Sequence, residues 1–116
     1  MTPGARVAAA TAVLDQIIEG AAAEQALTAW ARGSRYAGSK DRAVVRDHVF
    51  DVLRARRSLG DGDGRSLMQR LSKREGWPVD ALFSGEGHAP APLSEDEHAA
   101  LSQDLELSAA ARCDLP

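Results

Sequence analysis

Residues Ser39–Arg57 read S-K-D-R-A-V-V-R-D-H-V-F-D-V-L-R-A-R-R, and this stretch decides the fold. At about 100° per residue, Val45, Val49, Val52 and Leu53 fall on one arc of roughly 100°, while Asp47, Asp51 and Arg54 face the other way. No glycine or proline interrupts the run. The spacing predicts a helix over Lys40–Ser58, the longest in the chain. Ser39 is the expected N-cap, Asp41 lies where the helix dipole favours an acid, and Arg54, Arg56 and Arg57 lie where it favours cations. Gly60 follows as a stop.

Upstream, Ala5–Glu19 carries Val7, Ala10, Leu14, Ile17 and Ile18 at helical spacing, and Ala22–Arg32 carries Ala23, Ala26, Leu27 and Trp30 on one face. Pro3, Gly20 and Gly33 suit the ends of these helices. The loop Ser34–Gly38 leads into the long helix. Downstream, Gly60–Gly64 is a link, and Arg65–Glu75 is a fourth helix with Leu67, Met68 and Leu71 inward. Pro78–Phe83 reads as a short helix. Ser84–Pro92 is rich in Gly and Pro and reads as a loop or linker. Ser94 and Glu97 form a capping box, S-x-x-E, before a helix Glu95–Ser102 that is expected to run on towards Ala111.

The chain has 116 residues, enough for one core, and 44% of them are apolar. Aromatics make up only 4%, so the core must come from aliphatic residues and from alanine, the strongest helix former. No run alternates apolar and polar residues between turn signals. The class is therefore all-α, with about five to six helices.

Net charge is −3, which by itself argues against a polyanion ligand. Its distribution is uneven. Arg32–Arg74 holds 12 Lys/Arg against 5 Asp/Glu, a local +7, while the remainder holds 2 against 12, a local −10. Such asymmetry marks a basic face beside an acidic remainder. Cys113 is the single cysteine, which excludes a disulfide framework within the chain and fits a reducing cytoplasm. No stretch approaches the ~20 apolar residues of a membrane span, and no export signal is evident at the N-terminus.

Catalytic and metal signals are weak. Cys113 sits beside Asp114 with no base in view. His48, His88 and His98 lack zinc-ligand spacing, and His48 is expected on the solvated side of the long helix. Asp61-Gly-Asp63-Gly starts like a calcium loop, but Arg65 stands where another ligand belongs, so it reads as a polar turn. Gly-rich phosphate and dinucleotide loops are absent. What remains is the basic set: Arg35, Lys40, Arg42, Arg46, Arg54, Arg56 and Arg57, flanked by Arg32, Arg70, Lys73 and Arg74. Phosphate binding needs cations gathered on one face. The competing reading is a mixed structural surface. Arg42, Arg46 and Arg56 project near the apolar arc, and Asp51–Arg54 is an ordinary i, i+3 pair. Aromatic residues, at 4% of the chain, are too few for a stacking platform on single strands.

Ser39–Arg57, with Trp30–Ser39 and Val7–Ile18 before it, resembles the long helix and its approach in NusB-like domains. The whole is similar to the N-terminal domain of Sun/RsmB-like ribosomal-RNA cytosine-5 methyltransferases. The resemblance covers residues 1–83 as a NusB-like helical domain, and it implies that 84–116 is a linker and C-terminal helix leading towards a methyltransferase domain. Asp114-Leu115-Pro116 is similar to a lead-in to that next segment, so a domain fragment is expected. It further implies a chain that is not catalytic alone, with S-adenosylmethionine and the attacking cysteine belonging to the other domain; Cys113 matches no catalytic Pro-Cys element. The expected partners are RNA, rRNA in particular, and the methyltransferase domain in cis. A protein-interaction module and a free-standing NusB-like antitermination factor are the alternatives.

Overall fold

The computed structural model describes residues 1–103. Their order is α1 (Pro3–Ile18), α2 (Ala23–Gly33), α3 (Ser39–Leu59), α4 (Gly64–Arg74) and the single turn α5 (Val79–Leu82), followed by a sixth helix, α6, over residues 95–103. The described residues contain no strand, and the fold is an all-α bundle. Cys113, the expected run towards Ala111 and the Asp114-Leu115-Pro116 ending lie outside the described residues.

α1 is the hub, packing against α2, α3, α4 and α5. A helix with neighbours on so many sides cannot show a single apolar stripe. Gly4, Ala5, Val7, Ala9, Ala10, Val13 and Leu14 are all buried, nearly encircling the axis. Val13 is buried although the stripe omitted it, whereas Ile18, expected inward, is 38% exposed because it lies at the last turn. The small residues let neighbours come close. A Cβ built on Gly4 would lie 2.7 Å from Ala89 Cβ and 2.8 Å from the Leu82 carbonyl oxygen. One built on Gly64 would lie 2.5 Å from the Thr11 carbonyl oxygen. The start of α4 thus rests directly on the α1 backbone, and the Gly64 N–H donates to Asp15 Oδ1 at 2.8 Å.

α3 buries Val45, Val49 and Val52 completely, as its spacing predicts, and Leu53 partly. Its start differs from expectation. Gly38 is the N-cap and Ser39 is the first helical residue. Asp41 makes the closure, its Oδ2 accepting from the Gly38 N–H at 3.3 Å. α4 ends as a Schellman turn: the Trp77 N–H donates to the Ser72 carbonyl and Gly76, at φ 76°, to that of Lys73. Pro78 caps α5 rather than opening it.

Residues 84–103 fold back over this body. Leu93 packs on the core and Leu101 is buried. The Ser94–Glu97 capping box is formed, with the Ser94 N–H donating to Glu97 Oε1 at 2.9 Å and the Glu97 N–H to Ser94 Oγ at 3.1 Å. The same carboxylate accepts from Arg65 Nε at 2.8 Å, Arg65 Nη2 at 3.0 Å and Gln69 Nε2 at 2.6 Å. Arg65 also lies over the buried Phe83 ring and donates to the Pro92 carbonyl. These contacts hold Glu97 at about 2, well below the usual carboxylate range, with the Arg65 hydrogen bonds as the main cause.

Candidate nucleic-acid interface

The basic set is positioned mainly by α3, and its carboxylate partners decide which cations remain available. Asp41 ties the start of α3 to α1: its Oδ1 accepts from Arg6 Nε at 2.9 Å and lies 2.8 Å from Arg6 Nη2. The Arg6 guanidinium accordingly holds the Asp41 carboxyl below its ordinary range. Arg46 is engaged by Glu24 on α2, with Nη1 donating to Oε2 at 2.8 Å, and it lies 4.9 Å from the centre of the Phe50 ring. That pairing lowers the Glu24 carboxyl and raises Arg46. Arg54 pairs with Asp51 one turn back. By contrast, Arg35, Lys40, Arg42, Arg56 and Arg57 have no carboxylate partner among the described residues. All but the half-buried Arg56 are exposed.

The seven positions do not form one patch. On an ideal helix the six that lie on α3 wind over about 200° of circumference, and Arg42 and Arg54 stand about 18 Å apart along the axis. Arg35, Lys40 and Arg42 sit at or before the start of α3. Arg54, Arg56 and Arg57 sit at its end, where α4 adds two more guanidinium groups. Arg70 Nη1 donates to the carbonyls of Leu59 and Asp61 at 3.1 and 2.7 Å, and Arg74 Nη1 donates to Ser58 Oγ at 2.6 Å. Cations at this end also satisfy the helix dipole. Part of the basic character is therefore structural.

Two ring pairs were not evident in the sequence. Tyr36 and His88 stack with centroids 6.2 Å apart and planes 18° from parallel. His48 lies against Trp77 at 5.2 Å and is half-buried, not solvated as its helical position suggested. The Gly76 turn brings the indole back onto α3, and burial pushes the imidazole below its ordinary 6.5. The pair lines a groove of about 350 Å³ together with Pro3, Arg6, Val7, Val44, Pro78 and Leu82.

No family model, curated protein or solved structure matches this chain. Function must therefore be argued from the side chains themselves. Among the described residues no group of three His, Cys, Asp or Glu side chains is placed to hold a metal ion. Asp63 of the calcium-like turn instead caps α4, its Oδ1 accepting from the Ser66 N–H at 2.8 Å; that bond lowers its carboxyl. The histidines are far apart in role: His48 faces Trp77, His88 faces Tyr36, and His98 lies 3.4 Å from Asp80. Among the described residues no helix is long and apolar enough to cross a membrane.

Proposed function

We propose that this chain is an RNA-contacting accessory module, and more narrowly the docking domain of an S-adenosylmethionine-dependent ribosomal-RNA cytosine-5 methyltransferase. One observation carries the RNA reading: of the seven cations nominated on and beside α3, five have no described carboxylate partner. Those five are what a phosphate backbone would engage, and Arg46 and Arg54 are already neutralised. The narrower methyltransferase assignment is supported by the resemblance of Ser39–Arg57 and its flanks. On this reading the module orients RNA, while the cofactor and the attacking cysteine belong to the methyltransferase domain.

Salt dependence tests the RNA reading. Binding through about four phosphates should weaken steeply between 50 and 200 mM salt. Arg42→Glu and Arg57→Glu should each weaken binding and flatten that slope, with Arg46→Gln having a smaller effect because Glu24 already occupies it. Absence of binding at low salt refutes the reading. The reading frame following Pro116 tests the narrower assignment: a cofactor-binding domain supports it, and a stop codon favours a free-standing antitermination factor.

A protein-interaction role is the second reading, favoured by the groove at His48 and Trp77. Its apolar walls suit an aliphatic or aromatic anchor.

A further inference from the structure

Two tight turns face each other beside the starts of α1 and α3. In the first, the Ala37 N–H donates to the Ser34 carbonyl at 2.9 Å. Ser34 and Ala37 are 7% and 6% exposed, so the ends of the turn are anchored inside and its tip, Arg35-Tyr36, is thrown outward. In the second, the Ala89 N–H donates to the Glu86 carbonyl at 2.9 Å, putting Gly87-His88 at the tip. This turn is also anchored: the Gly85 N–H donates to the Pro90 carbonyl at 2.8 Å, and Ala89 sits against Gly4 of α1.

The two tips bring Tyr36 and His88 into a near-parallel stack. His88 backs the phenol, yet Tyr36 remains 67% exposed, more so than Ile18, the other large hydrophobic that protrudes among the described residues. A single exposed tyrosine is unremarkable on a protein surface. This one is different because a second ring, from a separate fixed loop, holds it. Arg35 adjoins it in the same turn, and Lys40 and Arg42 follow at the head of α3, all three exposed and without a described carboxylate partner. A flat π-face with a cation in the same turn is the chemistry that binds an unpaired base and its phosphate.

We infer that the Tyr36/His88 pair is a stacking site for one unpaired nucleobase of single-stranded RNA, with Arg35 in the same turn holding an adjacent phosphate and Lys40 and Arg42, on different sides of the head of α3, open to phosphates further along the strand. The inference rests on the RNA reading above and sharpens it. The ligand is a single strand or a loop, because a base inside a duplex has no exposed face to offer. Stacking tolerates any base, so the site contributes affinity with little sequence preference. It also assigns the cations in the turn before α3 and at its head to the ligand and leaves the end of α3 to neutral positioning or to more distant phosphates.

The test uses the full chain, a fluorescent single-stranded RNA of about eight nucleotides and the matching duplex, with anisotropy read at low salt. Tyr36→Ala should weaken single-strand binding about 5- to 100-fold. It should leave duplex binding and the salt slope unchanged, and Tyr36→Phe should retain the wild-type affinity. The residue is exposed, so an unaltered thermal melt confirms that the variant is folded. If Tyr36→Ala stays within about twofold of wild type while Arg42→Glu weakens binding, the stacking site is wrong and the RNA reading survives. Equal weakening of single strand and duplex also overturns stacking. If the wild-type chain binds neither RNA at low salt, both readings fall together.

Discussion

Replacing Glu97 with Gln tests whether a single carboxylate fastens α6 to the body of the bundle. Glu97 accepts two hydrogen bonds from Arg65, one from Gln69 and one from the Ser94 N–H. A fall from the ordinary 4.5 to about 2 is equivalent to about 3 kcal/mol of preference for the charged form in the folded chain. The Glu97 side chain is 28% exposed, so water screens part of that, leaving about 1–2 kcal/mol. Because folding depresses this carboxyl, its stabilisation is present above pH 4.5 and is lost as pH falls towards 2. At pH 7, Glu97→Gln should therefore lower the melting temperature by about 5 °C. The two proteins should converge as the pH drops through that window. Calorimetry or circular dichroism of both proteins from pH 2 to 7 reads the difference. The depressed Asp41 carboxyl titrates equally in both proteins and cancels, whereas Asp63, which the Glu97 charge pushes up slightly, shifts a little further down in the variant. A melting temperature within about 1 °C of wild type at pH 7, or a difference that does not close on acidification, would refute the argument.

Three further outcomes follow from the packing. Gly64→Ala places a methyl 2.5 Å from the Thr11 carbonyl oxygen and 2.8 Å from Asp15 Oδ1; urea denaturation should show a loss of about 2–3 kcal/mol, well above the ~1 kcal/mol that alanine returns in helix propensity. Gly33→Ala, where the new methyl meets nothing within 4 Å, should instead be neutral or stabilising by up to about 1 kcal/mol. Burial lowers the His48 imidazole below 6.5, so folding resists its protonation, and stability should decline as pH falls below about 6.5; His48→Phe should remove that decline, with an NMR titration of the imidazole as the direct check.

The helices were legible because their signals are local. Val45, Val49 and Val52 repeat at helical spacing within one element, and Gly33, Gly60 and Gly76 lie at or just past helix ends. The capping box at Ser94 needs only four consecutive residues. α1 was read less well because alanine can face a core or solvent, so Ala5 and Ala9 carry no periodic signal for the sides they bury. The basic residues were legible by composition, but their pairing was not. Glu24 reaches Arg46 from another helix, and Arg65 reaches Glu97 across the chain. His48 and Tyr36 were misjudged or passed over for the same reason. Their partners, Trp77 and His88, are brought in by turns whose geometry depends on glycine and on distant packing.

The central position of α1 also has a consequence for synthesis. α1 leaves the ribosome before the rest of the bundle, but α3 and α4, two of its main packing partners, are complete only at Leu59 and Arg74. At typical elongation rates its apolar sides wait roughly 3–11 s between the emergence of Ile18 and that of Arg74. A solitary 16-residue helix is near the lower limit of independent stability in water, even when rich in alanine. During that interval the nascent chain presents Val7, Val13 and Leu14 to its surroundings. The small side chains that let α1 serve as the bundle's axis also limit how much adhesive surface the unfinished chain displays.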